Sequence, residues 1–116
     1  MLPGSDKGKG VIMNKLLGFQ KKYLRGLAHK LNPVVLIGQK GFTDELVKST
    51  DQALERHELI KIKFNEFKEK EQKAEITEML CKLTKAEIAG TIGHMAILYR
   101  EQKDPEKKKI VLPEQK

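Results

Sequence analysis

Val34-Val35-Leu36-Ile37, followed at once by Gly38-Gln39-Lys40-Gly41, is the stretch of sequence that decides the fold. Four apolar residues without a polar interruption predict a short strand buried in the centre of a sheet. The two glycines predict a turn, and Thr43 after them is a typical N-cap of a helix. A strand that passes through a tight turn into a helix is typical of an α/β domain.

Upstream of this stretch, apolar residues recur at helical spacing and predict a first helix that ends before Asn32-Pro33. Its inner side comprises Leu17, Leu24, Leu27, Ala28 and Leu31. The helix that Thr43 caps has acidic residues near its positive end. Its inner face comprises Leu46, Val47, Thr50, Ala53 and Leu54.

Downstream, residues 58–64 alternate between apolar and charged side chains, which predicts a half-buried strand. A third helix is predicted over about 70–83, with an inner face of Ala74, Ile76, Met79, Leu80 and Leu83. Two strands near 87–92 and 95–100 follow, joined tightly around Gly93-His94. The predicted order αβαβαββ indicates one compact α/β domain with a four-stranded mixed sheet and packed helices.

The ends of the chain differ in composition from this domain. Residues 1–12 are rich in glycine without periodicity, so we interpret them as a flexible leader or expression extension, and residues 13–100 as the domain. Residues 101–116 are polar, which predicts a mobile tail whose Ile110-Val111-Leu112 segment could dock on a partner.

The positive charge is concentrated at the front of the chain. Of the 23 basic residues, eight lie between Lys7 and Thr43, where there is no acidic residue, whereas residues 44–116 contain fifteen of each sign. The net charge of +7 therefore arises in one segment. Such a patch predicts a polyanionic partner, with RNA or DNA ahead of a membrane surface.

The first helix has a basic flank. Lys21, Arg25 and His29 recur at every fourth residue, with Lys22 beside them, and no carboxylate stands three or four residues away. We call these four residues the basic ridge and predict that they contact phosphates; the alternative is an ordinary solvated helix face.

The turn formed by Gly38, Gln39, Lys40 and Gly41, called the glycine loop below, resembles in position and charge the GXXG loops that clamp a nucleotide backbone. The helix that follows it would present free backbone N–H groups nearby. Residues 90–93 repeat the glycine spacing, but their apolar middle and flanking strands indicate a strand and turn. We expect the ridge and the loop to converge on one surface, which Lys61 and Lys63 would extend if their sheet face is open.

The sequence shows no pattern typical of a catalytic site or a metal site. Cys81 is the single cysteine, and the three histidines lack metal-site spacing, so we predict no catalytic residues, no metal and no cofactor. No apolar run approaches the roughly 20 residues of a membrane span. We expect a cytoplasmic, non-enzymatic protein with no membrane partner and no small-molecule substrate.

Four blocks of the sequence resemble the YhbY-type CRM family (chloroplast RNA splicing and ribosome maturation domains). They are residues 20–29 (QKKYLRGLAH), 32–41 (NPVVLIGQKG), 58–63 (ELIKIK) and the segment from Ile92-Gly93 to Leu98-Tyr99-Arg100. The resemblance spans about residues 16–100. It implies a fold similar to the C-terminal domain of translation initiation factor three.

The resemblance also implies RNA binding, with ribosomal RNA or the pre-ribosomal large subunit as the partner, and it adds Arg100 to the expected binding surface. The family's loop usually carries two basic residues between its glycines, whereas here Gln39 replaces one of them. The alternative function is a basic protein-interaction module that binds an acidic protein.

Overall fold

The computed structural model describes residues 16–66 and 69–114 of the chain. Within them, three helices and four strands follow the predicted order αβαβαββ. The elements are α1 (Gly18–Ala28), β1 (Val35–Ile37), α2 (Asp44–His57), β2 (Leu59–Phe64), α3 (Lys70–Thr84), β3 (Glu87–Ile92) and β4 (Met95–Tyr99). The proposed leader, residues 1–12, lies outside the described residues.

The strands form one mixed sheet in the order β1-β2-β4-β3. β1 runs parallel to β2, and the other neighbouring pairs are antiparallel. The predicted α/β domain with a four-stranded mixed sheet is therefore confirmed. The prediction that β1 is a central strand is wrong, because β1 lies at an edge and the Leu36 side chain is 58% exposed. A continuous apolar run does not distinguish a central strand from an edge strand with one open face.

The helices cover the two faces of the sheet differently. α2 and α3 pack together on one face, over a core that includes Ile37, Ile62 and Leu98. α1 crosses the other face alone, where Leu24 and Ala28 are fully buried against a smaller core. Burying a leucine side chain completely contributes roughly 2 kcal/mol, which is enough to fix the rotation of α1 about its axis. That rotation decides which way its basic residues point.

The inner face of α3 differs from the prediction. Leu80 is buried, but its buried neighbours are Thr77 and Thr84, whereas Met79 and Leu83 are exposed. The two threonine hydroxyls donate to the carbonyls four residues earlier, at 2.7 and 2.6 Å. These bonds satisfy the polar groups and allow threonine to occupy an inner position that apolar periodicity assigned elsewhere.

Residues 101–114 contain no helix or strand, yet Ile110 and Leu112 pack against the core beneath α1. The buried carboxylate of Glu58 accepts hydrogen bonds from the backbone N–H groups of Gln102, Lys109 and Ile110. These contacts place the Ile110-Val111-Leu112 segment on its own domain, so we treat residues 101–114 as part of the domain below.

Candidate nucleic-acid interface

Arg25, in the middle of the basic ridge, lies on the flank of α1 that faces β3. Because Leu24 and Ala28 point into the core, helical geometry turns Arg25 and His29 towards the side of the helix. Lys22, Arg25 and His29 are exposed, and Lys21 is half-buried. Among residues 16–66 and 69–114, no carboxylate forms an ion pair with any of the four. The positive charges of Lys21, Lys22 and Arg25 are therefore available to an external anion.

Arg25 is held in place by β3. Its guanidinium Nη1 donates a hydrogen bond of 3.1 Å to the carbonyl oxygen of Ala89, and its side chain crosses the bare backbone of Gly90. A Cβ added to Gly90 would lie 2.6 Å from Cδ of Arg25, too close for any real contact. A guanidinium has five N–H donors, so the bond to Ala89 leaves donors free for a phosphate. The glycine thus makes room for an arginine that is ordered before any ligand arrives.

The glycine loop closes as a tight turn. The N–H of Gly41 donates to the carbonyl of Gly38 at 3.1 Å, and Gly41 adopts a positive φ of 69° that favours glycine. Gly38 does not require this freedom, and a Cβ there would meet open space. Of the two loop glycines, only Gly41 therefore needs the conformational freedom of glycine, whereas Gly38 keeps the approach to the backbone open. Gln39 and Lys40, between them, are exposed.

The start of α2 lies beside this loop. The Thr43 hydroxyl accepts a 3.0 Å hydrogen bond from the N–H of Leu46, which confirms the predicted cap. Helix geometry leaves the N–H groups of Asp44 and Glu45 without intrahelical partners. The glycine loop and the N-terminal end of α2 line the same depression, and the Glu45 side of α2 also lines it. A phosphate here would gain from the N–H groups and Lys40 but would be repelled by the Glu45 carboxylate.

The ridge and the loop do not meet in one cradle. Arg25 sits over β3 and the loop follows β1, and these are the two edge strands. Neighbouring strands lie about 4.8 Å apart, so three spacings separate the two features by roughly 14 Å across the sheet. They flank the α1-side face of the sheet and would contact different nucleotides of a bound strand.

Lys61 and Arg100 do not lie on this surface. Lys61 is buried on the α1 side of the sheet, and its ammonium donates a 2.9 Å hydrogen bond to the carbonyl of Leu31, which follows α1. Arg100 lies at the far end of β4 and binds the carboxylates of Asp51 and Glu55. Lys63, in contrast, is exposed two residues beyond Lys61 on the same face.

Sequence reasoning missed two contacts near the interface. Gly90 was interpreted only as part of a strand, although the side chain of Arg25 packs against its backbone. Lys73 on α3 approaches the β3–β4 turn, with its ammonium 3.3 Å from Nδ1 of His94 and 3.5 Å from the Gly93 carbonyl. Neither contact has a local sequence signal, since each joins residues from separate elements.

Two groups, the partly buried Cys81 and the buried Tyr99, have pKa values well above the ordinary values for their residue types. Burial, assisted by the charges of Glu87 and Glu78, raises the pKa of the Cys81 thiol to about 12. Burial also raises the pKa of Tyr99 to about 12, with smaller contributions from Glu101 and Glu58. Both groups are therefore neutral at physiological pH.

Two further kinds of feature are absent from the described parts of the chain. Residues 16–66 and 69–114 contain no group of three or more His, Cys, Asp or Glu side chains placed to hold a metal ion. None of the helices in these segments has the length and apolar character needed to cross a membrane.

Comparison with known proteins identifies the family. The sequence model of the CRS1/YhbY (CRM) domain matches residues 16–100, which include the ridge, the glycine loop and the whole sheet. The chain belongs to the CRM-domain family. The resemblance found in the sequence is thereby confirmed.

Individual CRM-domain relatives match along nearly their whole length. A protein of Haemophilus influenzae named RNA-binding protein is 43% identical over 101 residues, which cover 87% of this chain and 98% of the relative. The Bacillus subtilis protein named "Probable RNA-binding protein YqeI" is 40% identical over 98 residues, 84% of this chain and 99% of that one. The solution structure of a hypothetical protein from Staphylococcus aureus superimposes with a TM-score of 0.69 at 39% identity, covering 85% of this chain and all of that one.

Proposed function

We propose that this CRM domain is a non-enzymatic RNA-binding protein of the cytoplasm that binds ribosomal RNA precursor and assists assembly of the large ribosomal subunit. The observation that carries RNA binding is the basic ridge of α1, which no described carboxylate neutralises and in which β3 holds Arg25 in place. The names of the relatives from Haemophilus influenzae and Bacillus subtilis support the same partner.

The physical basis of binding is the release of counterions from the phosphate backbone. Lys22, Arg25 and His29 lie within one exposed flank, so one RNA strand can follow them along the helix. The glycine loop offers a second phosphate site, where an open Gly38, Lys40 and the start of α2 lie together. Contacts of this kind hold the backbone in register without reading individual bases.

The test is the salt dependence of binding to a single-stranded RNA. For single strands, the logarithm of the affinity falls with the logarithm of salt concentration at a slope of about −0.7 for each phosphate neutralised. The double variant Lys22→Glu/Arg25→Glu should therefore flatten the slope by about 1.4 or more. The matched control Lys48→Glu/Lys82→Glu makes the same change in net charge on exposed positions of α2 and α3 and should leave the slope unchanged.

An unchanged slope in the ridge variant would remove α1 from the RNA site. Failure of the purified protein to bind RNA at all at about 0.15 M salt, combined with binding to an acidic protein, would favour the alternative function of a protein-interaction module.

The loop is tested by Gly38→Leu. Because a Cβ at Gly38 meets nothing within 4 Å, the fold should survive while the side chain blocks access to the backbone, and RNA affinity should fall. Full affinity in this variant would exclude the loop from the site.

The ribosomal part of the proposal rests on the properties of the CRM family rather than on the geometry of this domain. Crosslinking in cells, followed by sequencing of the attached RNA, should recover precursors of the large-subunit ribosomal RNA above all other RNA. Predominant recovery of messenger or transfer RNA would contradict it.

A further inference from the structure

Four side chains cross the sheet in one line beyond the end of α1. Leu36 on β1 lies opposite Lys63 on β2, Lys63 lies opposite Met95 on β4, and Met95 lies opposite Ile92 on β3. We call these four residues the open row. Their strand neighbours Val35, Ile62 and Ala96 point into the core under α2 and α3, so the open row faces the α1 side.

The open row is accessible although it is largely apolar. Leu36 is 58% exposed and Ile92 is 52% exposed, Lys63 is exposed, and only Met95 is half-buried. The preceding line of paired residues across the sheet is Lys61, Ile97 and Gly90, and it lies beneath α1 and the Arg25 side chain. α1 therefore covers one level of the sheet and leaves the next one open.

Apolar exposure continues from the open row towards the end of α1. Leu27, Leu31 and Val34 are all exposed, and the N–H of Val34 bonds to the Lys61 carbonyl, which places this segment beside β2. Exposed apolar side chains gathered beside one face of the sheet favour a binding surface over isolated exposed residues.

The charges around the open row decide what kind of partner fits. None of its four members is acidic, and none of Leu27, Leu31 and Val34 is acidic. Glu66 lies two residues past the end of β2, and Glu45 lines the depression beside Leu36. The open row is bordered at β1 by the glycine loop with Lys40, and at β3 by the strand that holds Arg25. A partner must present apolar surfaces between two sets of anionic groups.

We propose that the open row receives the unpaired bases of an RNA strand whose phosphates lie on the glycine loop and the basic ridge. Unpaired nucleotides combine bases that have flat apolar faces with a negatively charged backbone. Bases in a duplex are stacked inside and cannot reach a sheet face. The strand spacing of roughly 14 Å from β1 to β3 is a typical platform width, since four-stranded sheets of other RNA-binding modules hold two or three bases.

The side chains of the open row also predict that RNA binding depends little on the base sequence of the strand. Leucine, isoleucine and methionine bury the faces of bases without hydrogen-bonding their edges, and Lys63 supplies charge to a phosphate rather than a base pattern. This inference rests on the proposed function and narrows its substrate to single-stranded or looped RNA.

The test uses the full chain and three probes of equal length: an oligouridine strand, the corresponding strand without bases, and a blunt RNA duplex. The native protein should bind oligouridine at least about fivefold more tightly than the abasic strand and the duplex, because only the first offers apolar area to bury. The double variant Leu36→Thr/Ile92→Thr keeps β-forming side chains but removes apolar surface, and it should lose this preference. The slope of log affinity against log salt concentration should be the same for this variant as for the native protein, because the charges are unchanged.

A matched control is Leu83→Gln, which removes apolar surface at a 59%-exposed position of α3, on the other face of the sheet. It should keep the native preference for bases. Thermal unfolding of both variants should match the native protein, so that lost binding is not lost folding.

Each outcome separates the two proposals. Equal native affinity for oligouridine and the abasic strand, or a preference that survives Leu36→Thr/Ile92→Thr, would overturn the inference while leaving phosphate binding by the ridge intact. Absence of binding to all three probes would overturn the proposed function as well. If light scattering shows a dimer that Leu36→Thr/Ile92→Thr dissociates, the open row is a contact between two copies of the chain and the inference fails.

Discussion

Replacing Gly90 with alanine should weaken RNA binding by displacing the side chain of Arg25, which is itself left unchanged in sequence. The new Cβ would lie 2.6 Å from Cδ and 3.1 Å from Cγ of Arg25, so the flexible arginine side chain must leave. Its 3.1 Å hydrogen bond to the Ala89 carbonyl breaks as a result. The positive charge remains on the protein, but it is no longer fixed in position.

The expected magnitude follows from the cost of ordering a side chain on binding. Immobilising a long side chain at an interface costs about 0.5–1.5 kcal/mol, so RNA affinity should fall roughly 2- to 12-fold in Gly90→Ala. The free energy of unfolding should change by less than about 1 kcal/mol. Loss of this one partly buried hydrogen bond, worth about 1 kcal/mol, is offset by a gain of about 0.4–1 kcal/mol from the stiffer unfolded chain.

The assay is a double-mutant cycle with Arg25→Ala, read by fluorescence anisotropy on a labelled single-stranded RNA and by urea unfolding. In the Arg25→Ala background nothing obstructs the new Cβ, so Gly90→Ala should leave affinity unchanged and raise stability by about 0.4–1 kcal/mol. Arg25→Ala should reduce the salt slope by about 0.7, whereas Gly90→Ala alone should keep it. An equal loss of affinity from Gly90→Ala in both backgrounds would refute the role of the contact between Arg25 and the Gly90 backbone.

Three further outcomes follow from buried groups. Lys61→Met should destabilise the fold by about 1–2 kcal/mol, since the Leu31 carbonyl loses its donor, while RNA affinity stays native; a large affinity loss without destabilisation would return Lys61 to the binding surface. Glu58→Ala should accelerate amide hydrogen exchange in residues 102–110, measured by mass spectrometry, because three N–H groups lose their acceptor; unchanged exchange would show that the tail packs without it. The raised pKa values of Cys81 and Tyr99, both about 12, mean that the native state keeps protons which the unfolded state releases near 9.0 and 10.0. Stability should therefore fall as pH rises from about 9 towards 12, and a flat profile of urea unfolding over that range would contradict the assigned burial.

Local sequence signals located most elements of this domain. The glycine loop, the Thr43 cap and the alternation in β2 depend on neighbours within a few residues, so the boundaries of α2, β2 and β3 follow closely from the chain itself. The inner face of α3 could not be found in this way. Whether Thr77 or Met79 points inward depends on the hydrogen bond of the threonine hydroxyl and on the packing of neighbouring elements. The hydropathy pattern of the sequence contains neither.

The candidate site divides along the same line. The sequence by itself determined that positive charge gathers on α1, that a glycine turn precedes a helix, and that the chain is a CRM domain, because charge, turn chemistry and residue order are local properties. Only the tertiary structure decided that Lys61 is buried, that Arg100 binds Asp51 at the far end of the sheet, and that Arg25 rests on Gly90. Strand order sets these contacts, since it brings together residues separated by up to 65 positions in the chain, and no local pattern encodes which edge of a sheet a strand will occupy.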